Sequence, residues 1–261
     1  MKISLKNKKA LVGGSSGGIG KAIAQQLAES GASVTLMSRS EDKLKAIVDA
    51  LPTNQGQLHQ YLVVDFTDFE GYKSIITAYF QNNSVDILVN NTQGPSAGSA
   101  LEKKVDDYQE AFNLLFKTVV LTSELALEQM RKNQFGRIIN VASVSVKEPL
   151  SYLALSNSIR AAVTTWAKSL ATDVGPDQIT VNNLLTGYFD TDRISQLNAK
   201  KAEQMGVPAS EVLVEMESRV ALKRIGDPKE YGYLVAFLAS ERASFITGTN
   251  IPIDGGLLKS L

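Results

Sequence analysis

The stretch 13-GGSSGGIG-20 constrains this chain most, because it lies directly between a short apolar run, Ala10–Gly13, and an amphipathic run, Ile19–Ser30. These runs predict a strand followed at once by a helix. A glycine-rich turn of this kind lets the backbone approach a phosphate and points free N–H groups and the helix dipole at the anion. We therefore predict a dinucleotide-binding turn, although a tight turn without a ligand would also account for the glycines. The residues expected to contact the dinucleotide here are Gly14, Ser15, Ser16, Gly18, Ile19 and Gly20.

Short apolar runs alternate with longer amphipathic runs along the chain. The predicted strands are Ala10–Gly13, Ser33–Met37, Leu58–Val64, Asp86–Val89, Arg137–Val141, Thr180–Leu185 and Asn250–Ile253. The predicted helices are Ile19–Ser30, Glu41–Leu51, Phe69–Asn82, Val105–Lys132, Leu153–Val174 and Pro228–Ala239. Such alternation is typical of a parallel sheet covered on both faces. We therefore predict an α/β chain: a single-domain Rossmann fold over residues 1–261, with a doubly wound seven-stranded parallel sheet and helices on both faces.

The segment Asp190–Leu222 differs from the rest, since it is polar and helix-forming but has no strand pattern. We predict a helical, lid-like insertion around residues 190–222. Its length favours a mobile lid over a site, and a solvated helical insertion is an equal alternative.

The composition excludes several classes of function. Lys+Arg and Asp+Glu both number 27, so net charge gives no reason to expect nucleic acid or an anionic membrane as a partner. The absence of cysteine excludes disulfides and thiolate catalysis. No apolar run approaches the ~18 residues of a membrane span, so we expect a cytoplasmic location. The single histidine, His59, is expected at the surface, and no metal site is predicted.

The end of the second predicted strand, in 36-LMSRSEDK-43, bears on the choice of dinucleotide. An NAD site needs an acidic residue there to bond the ribose hydroxyls, whereas Ser38 and Arg39 offer a hydroxyl and a guanidinium that suit a 2′-phosphate. The sequence therefore favours NADP(H) over NAD(H), unless Arg39 is an ordinary surface residue. We also expect cofactor contacts from Asp65, Phe66 and Asn90, near the carboxyl ends of the third and fourth strands, although Asp and Asn favour plain turns as well.

Further motifs resemble those of the short-chain dehydrogenase/reductase family over nearly the whole chain. Its T-G-x-x-x-G-I-G, N-N-A-G and P-G-x-x-x-T motifs are matched by 13-GGSSGGIG-20, 90-NNTQ-93 and 186-TGYFDT-191, with Gly13 in the threonine position and Thr186 in the proline position. The segments 224-RIGDPKE-230 and 247-TGTNIPIDGG-256 are similar to its C-terminal signatures. The subgroup that the chain resembles is the 3-oxoacyl-(acyl carrier protein) reductase-like proteins.

The resemblance implies hydride transfer between NADP(H) and a carbonyl or alcohol, with Gly187 at the cofactor. It also implies a homotetramer or homodimer that associates through Val105–Lys132 and Leu153–Val174. A small carbonyl compound or an acyl thioester is the expected substrate.

The resemblance also assigns catalytic positions. Asn113, in 110-EAFNLLF-116, matches the family's helix asparagine, and Ser143, in 138-IINVAS-143, matches its catalytic serine. The flank 161-AAV-163 aligns Arg160 with the lysine of the Y-x-x-x-K motif and therefore puts Ser156 in the tyrosine position. In the family that tyrosine donates a proton to the carbonyl oxygen, and the lysine lowers its pKa and holds the nicotinamide ribose. Arg160 could still hold the ribose.

The departure leaves the proton donor open. A guanidinium does not deprotonate in proteins, and a serine hydroxyl is a far weaker acid than a phenol. We predict that Tyr152 or Tyr188 donates the proton instead, with aromatic packing as the alternative role of each. A slow supply of the proton by water, or no supply at all, is the remaining alternative. Two main functions follow: an NADP(H)-dependent oxidoreductase, or a catalytically impaired NADP(H)-binding protein with a sensing or assembly role. A changed reaction on the same scaffold, such as elimination or isomerisation, is a third.

Overall fold

The structure is a computed structural model and describes residues 3–260. The strands are β1 (Lys9–Gly13), β2 (Ser33–Ser38), β3 (Gln60–Val63), β4 (Ile87–Asn90), β5 (Gly136–Val141), β6 (Ile179–Thr186) and β7 (Asn250–Ile253). They form one seven-stranded parallel sheet in the order β3-β2-β1-β4-β5-β6-β7. The chain order reverses between β1 and β4, which places a ligand crevice at the carboxyl ends of these strands.

Helices connect the strands in the described part of the chain. They are α1 (Gly18–Glu29), α2 (Glu41–Ala50), α3 (Phe69–Asn82), α4 (Val105–Phe112), α5 (Thr118–Asn133), α6 (Ala154–Val174), α7 (Asp192–Met205), α8 (Ala209–Arg219) and α9 (Pro228–Ala239). The apolar side chains of α1, α2 and α9 pack on one face of the sheet. Those of α3, α4, α5 and α6 pack on the other. The predicted doubly wound fold is confirmed.

Burial on both faces of the sheet explains why the central strands appear in the sequence as apolar runs. Leu11, Val12 and Leu36 have no exposed surface, since helices cover both faces of the central strands. Each fully buried aliphatic side chain contributes roughly 1.5–3 kcal/mol relative to an exposed one. The sheet therefore provides the rigid base that fixes the loops at its carboxyl edge.

Most predicted bounds agree with the structure to within one residue, and two predicted elements differ from it by more. The third strand begins at Gln60 rather than Leu58, whose side chain is 82% exposed. The predicted helix Val105–Lys132 is interrupted by a π-helical segment, Asn113–Lys117. At this segment the Thr118 hydroxyl donates to the Leu114 carbonyl at 2.6 Å, a contact of the kind that bends helices.

The segment around residues 190–222 consists of α7 and α8, joined by an ion pair of 2.7 Å between Lys201 and Glu215. Few of its side chains are buried, and Ala202, Val212 and Val220 are the apolar ones. The structure therefore shows the predicted helical form of this segment, whereas its movement as a lid stays a prediction.

His59 is partly exposed, as the predicted surface position requires, but its ring is anchored to the fold. The ring is half-buried: its Nδ1 accepts from the Val34 backbone N–H at 3.1 Å, and its Nε2 lies 2.9 Å from the Pro52 carbonyl oxygen. Both nitrogens therefore fix the chain between α2 and β3.

Residues 3–260 contain no group of three or more His, Asp or Glu side chains that could hold a metal ion. The same residues contain no helix with both the length and the apolar character to cross a bilayer.

Candidate active site

The loop between β1 and α1 has the backbone of a phosphate-binding turn. Gly14 and Gly18 have φ of 56° and 50°, a left-handed region that favours glycine. A Cβ on Gly20 would lie 2.2 Å from the Gly14 carbonyl oxygen, so only glycine allows the helix to start this close to the loop. No side chain of the described residues caps the N-terminus of α1. Its first N–H groups, including that of Ile19, are therefore available to a phosphate.

The two serines of this loop have different environments. The Ser15 hydroxyl is fully buried, donates to the Val12 carbonyl at 3.1 Å and accepts from the Met37 backbone N–H at 3.0 Å. It joins the loop to β2, so the Ser15 hydroxyl is engaged within the protein, and the cofactor contact expected of Ser15 stays a prediction. Ser16 is half-buried, and its hydroxyl has no hydrogen bond within residues 3–260. Ser16 is therefore the serine whose hydroxyl can reach a phosphate.

Asn91 holds the glycine loop against β4, a role that the sequence did not indicate. Its Nδ2 donates to the Gly13 carbonyl at 3.0 Å, and a Cβ on Gly13 would lie 2.2 Å from the Asn91 carbonyl oxygen. This close approach explains why glycine occupies the threonine position of the motif. The 90-NNTQ-93 match was the signal that could have pointed to Asn91.

Thr191, at the end of 186-TGYFDT-191, approaches the same loop from the other side. A Cβ on Gly18 would lie 3.1 Å from Thr191 Cγ2. The Thr191 hydroxyl caps α7 by accepting from the Ile194 backbone N–H at 3.4 Å. The start of α7 therefore lies against the phosphate loop, and Thr191 joins the candidate site although the sequence assigned it no role.

The end of β2 carries an unpaired cation. Arg39 is exposed and makes no hydrogen bond or ion pair with the described residues. Ser38 is buried beside it, and its hydroxyl accepts from the Ser40 backbone N–H at 3.3 Å. The Ser38 hydroxyl is thus partly engaged, and Arg39 is the group free to bind an anion.

Asp65 and Phe66 follow β3 but differ in accessibility. Asp65 accepts from the Thr67 hydroxyl at 2.7 Å and the Thr67 N–H at 2.9 Å, and these bonds, with a smaller contribution from Arg39, lower the pKa of the carboxyl. Phe66 is only 6% exposed, and its ring lies 5.0 Å from that of Tyr72 in the core. The Phe66 ring therefore lies in the core, and the cofactor contact expected of this residue stays a prediction.

Asn113 and Ser143 each lie where a regular element ends: Asn113 at the end of α4 and Ser143 just after β5. Asn113 begins the π-helical segment, and its Oδ1 accepts from Gln109 at 3.0 Å. Such segments frequently occur at functional sites. Ser143 follows β5, is half-buried and accepts from the Ser145 backbone N–H at 3.1 Å. Its O–H is therefore free to donate to a substrate oxygen.

Ser156 and Arg160 lie one turn apart on α6. Ser156 is 8% exposed and its hydroxyl has no hydrogen bond to any residue in 3–260. Arg160 Nη1 donates to the Val141 carbonyl, which places the guanidinium at the end of β5. Burial lowers the pKa of Arg160, and the nearby Tyr231 partly offsets this. The guanidinium still carries its charge at neutral pH, because its ordinary pKa is so high.

Arg160 lines a small cavity beneath the crevice. The polar residues around this cavity are Asn90, Thr92, Asn140 and Arg160. The structure therefore brings the predicted cofactor residue Asn90 and the predicted catalytic residue Arg160 to one place.

Tyr152 and Tyr188 lie near each other but not on α6. Tyr152 precedes α6, is 49% exposed, and has a pKa raised by partial burial and by the nearby Tyr188, while Arg219 lowers it. Tyr188 is half-buried in a second cleft, lined also by Leu222 and Asp254. Gly187 before it donates its backbone N–H to the Ile253 carbonyl at 3.0 Å. A Tyr152 phenol is thus accessible and protonated at neutral pH.

The family model described as enoyl-(acyl carrier protein) reductase matches residues 14–258. This chain belongs to the short-chain dehydrogenase/reductase family. Among curated relatives, the NADPH-dependent reductase BacG of Bacillus subtilis is 30% identical over 98% of this chain and 100% of its own length. The 3-oxoacyl-(acyl-carrier-protein) reductase FabG of Vibrio harveyi is 33% identical over 98% of this chain and 99% of its own.

A solved structure extends the similarity to the fold of the whole chain. The L-sorbose reductase of Gluconobacter frateurii, complexed with NADPH and L-sorbose, superposes with a TM-score of 0.92 at 30% identity, and all of both chains is covered. The family resemblance deduced from the motifs is confirmed. The assignment of Ser156 and Arg160 to the family's tyrosine and lysine positions stays a prediction.

Proposed function

We propose that this short-chain dehydrogenase/reductase is an NADP(H)-dependent oxidoreductase that transfers hydride between the nicotinamide and a carbonyl or alcohol. A 3-oxoacyl thioester is the proposed first substrate class, because curated relatives of this chain include 3-oxoacyl-(acyl-carrier-protein) reductases. A small hydroxyketone is the next class, since the L-sorbose reductase is similar over the full chain. The observation that carries the proposal is the uncapped glycine turn with a free Arg39 at the end of the neighbouring strand.

The residues present fit NADP(H). The turn from Gly14 to Gly20 would receive the pyrophosphate on the N-terminus of α1, with Ser16 adding a hydroxyl. Arg39 would bind the 2′-phosphate through two N–H groups. A carboxylate in that position would repel the 2′-phosphate, and the end of β2 carries none. Asp65, Asn90 and Gly187 would contact the rest of the cofactor.

The chain's own residues would polarise the substrate. When bound, the cofactor supplies or accepts the hydride. Ser143 would donate its O–H to the carbonyl oxygen, and such positioned donors stabilise the charge that develops there. Arg160 would bind the nicotinamide ribose and, as a half-buried cation, favour negative charge nearby. Asn113 would hold a water molecule at the break between α4 and α5.

Proton donation is where this chain differs from its family. Ser156 lies where we place the family's tyrosine, and its hydroxyl cannot act as an effective acid. Tyr152 is the proposed donor, because its phenol is accessible and remains protonated at neutral pH. Tyr188 is the alternative donor. Loss of positioned acid catalysis typically costs 10²–10⁴ in rate, which is about 3–5 kcal/mol of barrier.

A second candidate function rests on Ser156. If neither tyrosine reaches the substrate, the protein binds NADP(H) without efficient turnover and acts in sensing or assembly. The cofactor residues support both functions equally, so turnover must separate them.

NADPH binding and NADPH oxidation, measured on the same purified protein, test the proposal. We expect stoichiometric NADPH binding by calorimetry and loss of NADPH absorbance with acetoacetyl thioesters or hydroxyketones. Binding without oxidation across both substrate classes would support the second function instead. Absence of NADPH binding would contradict both functions.

We also propose a homotetramer, with a homodimer next, assembled through α4, α5 and α6. The family resemblance supports this proposal, because these helices are the usual subunit contact of the family. Light scattering of the purified protein measures the mass directly. The cytoplasmic location expected from the sequence stays a prediction.

A further inference from the structure

Four asparagines form a continuous row across neighbouring strands at the carboxyl half of the sheet. The register pairs Asn90 with Asn140, Asn140 with Asn183, and Asn183 with Asn250. Each side-chain amide donates to the next side-chain oxygen, at 2.8 Å from Asn90 to Asn140, 2.9 Å from Asn140 to Asn183, and 2.8 Å from Asn183 to Asn250. We call these four residues the amide row.

The amide row has one direction. The Nδ2 atoms of Asn90, Asn140 and Asn183 each donate toward β7, and the Oδ1 atoms of Asn140, Asn183 and Asn250 each accept from the β4 side. Asn140 and Asn183 are each 1% exposed, so each of their amide orientations is set by the neighbour that it meets. Aligned hydrogen bonds polarise one another in a low-dielectric interior. The acceptor end of the row is therefore Asn90, on the cofactor side, and the donor end is Asn250, on the edge strand.

The side-chain amide of Asn90, at the β4 end of the amide row, has an engaged Nδ2 and a free Oδ1. Asn90 Nδ2 donates to Asn140 and also to the Ser123 hydroxyl at 3.2 Å. Asn90 Oδ1 accepts no hydrogen bond within residues 3–260, and it is not among the buried oxygen atoms left without a partner. It is therefore accessible from the cavity that Asn90 shares with Arg160.

We propose that Asn140, Asn183 and Asn250 are positioning residues that hold the Asn90 amide with its oxygen toward the cofactor. The oxygen accepts a hydrogen bond from a hydroxyl or amide donor of bound NADP(H). This proposal rests on the proposed function, because it treats Asn90 as a cofactor-binding residue. It assigns a positioning role to two residues, Asn183 and Asn250, that lie on β6 and β7 and do not line the cavity.

The physical reason is the cost of an unpaired buried donor. Without the Asn183 oxygen, the Asn140 amide would be left with a buried N–H that has no acceptor, and such a group favours rotation toward another partner. A rotated Asn140 would present N–H rather than oxygen to Asn90. The Asn90 amide would then turn as well, and its oxygen would leave the cavity.

A double-mutant cycle on NADPH affinity tests the proposal. Asn90→Ala removes one acceptor and should raise the Kd for NADPH about fivefold. Asn183→Leu should raise it by a similar factor, although Asn183 does not line the cavity. In the Asn90→Ala background, Asn183→Leu should cause no further change, because both act through one oxygen.

Asn182 provides a matched control on the same strand. It is equally buried, but its side chain bonds the Ile246 carbonyl at 2.8 Å and the Thr249 hydroxyl at 2.8 Å on the other face of the sheet. Asn182→Leu should lower the unfolding free energy without changing the Kd. Equal losses of affinity in Asn182→Leu and Asn183→Leu would overturn the positioning role.

Asn250 offers a milder variant if Asn183→Leu does not fold, because its side chain lies on the exposed edge strand. Asn250→Ala removes the last acceptor and should weaken NADPH binding about twofold. Asn250→Asp keeps an acceptor for Asn183 and should restore the wild-type Kd. Equal Kd values for all three proteins would contradict the proposal.

The outcomes separate this inference from the proposed function. Wild-type protein that does not bind NADPH would contradict the proposed function. Wild-type binding with an unchanged Kd in Asn90→Ala would leave that function intact and overturn only the role of the amide row.

Discussion

The phenol of Tyr231 on α9 and the hydroxyl of Thr186 at the end of β6 share a hydrogen bond of 3.0 Å. Thr186 occupies the position where the family motif has proline, which has no hydroxyl. Tyr231 is fully buried, and its ring packs edge-on against Phe189 at 5.3 Å. Burial raises the pKa of Tyr231 far above its usual range, so this phenol stays protonated and serves packing rather than proton transfer.

We predict that Tyr231→Phe lowers the unfolding free energy by about 1–3 kcal/mol, since it leaves the Thr186 hydroxyl without its partner. The double variant Tyr231→Phe/Thr186→Val removes both polar groups and should recover most of that loss. Urea unfolding of the wild type, both single variants and the double variant measures the coupling. Strictly additive losses would show that the two hydroxyls do not interact.

Arg39 should determine the choice between NADPH and NADH. Arg39→Ala removes a charged donor to the 2′-phosphate, worth about 1.5–3 kcal/mol, so the Kd for NADPH should rise roughly 10–100-fold. The Kd for NADH should stay nearly the same. Calorimetric titration of both dinucleotides measures this, with Lys43→Ala on α2 as the control for loss of one exposed cation. Equal weakening by both substitutions would indicate a general charge effect.

The strands and most helices could be predicted because buried parallel strands are continuous apolar runs, while covering helices have one apolar face. The break at Asn113 could not, because the helical pattern of the sequence continues from Val105 to Lys132. The burial of the Phe66 ring was not predictable either, for a similar reason. Its position after a strand indicated the crevice, but packing against Tyr72 turns the ring into the core.

The glycine turn and Arg39 were predictable because each depends on local sequence. The amide row was not: Asn90, Asn140, Asn183 and Asn250 are far apart in the chain, and each alone resembles a turn residue or an isolated polar group. Only the register of β4 to β7 brings their side chains into one line. Contacts set by strand register therefore mark the limit of what this sequence predicts about its site.

Glu230, next to Tyr231, should make α9 sensitive to acid. Its carboxylate accepts from Arg224 at 2.7 and 2.8 Å and from the Asp227 backbone N–H at 2.8 Å, which lowers the pKa of Glu230 to about 2. The folded-state pKa lies below the unfolded value of about 4.3. The stabilisation is therefore complete above that value and is lost as the pH falls toward 2.

Because the Glu230 side chain is 41% exposed, solvent screening limits the contribution to about 1 kcal/mol or less. We predict that Glu230→Gln lowers the unfolding free energy at neutral pH and that the difference from wild type shrinks in acid. Urea unfolding of the two proteins across this pH range measures it. A difference that does not change with pH would exclude the Glu230 carboxylate as its source.

The ionisation of the Tyr152 phenol should determine how the rate of reduction depends on pH at alkaline pH. A proton donor must be protonated, and partial burial with the nearby Tyr188 raises the pKa of Tyr152 above its usual 10.0. Ionisation of Tyr152 should therefore not lower the rate at or near neutral pH, and the rate should fall only above about pH 10. Tyr152→Phe should remove that alkaline limb and lower kcat by roughly 10²–10⁴, with a smaller effect on the Kd for NADPH.

Tyr188→Phe is the matched control, because it removes a neighbouring phenol and leaves Tyr152 in place. It should lower the pKa of the Tyr152 limb while retaining most of kcat, since one contribution that raises this pKa is lost. Profiles of kcat against pH for the three proteins distinguish the cases. A large loss of kcat in Tyr188→Phe alone would indicate that Tyr188 is the donor. Full activity in both variants would indicate that water supplies the proton.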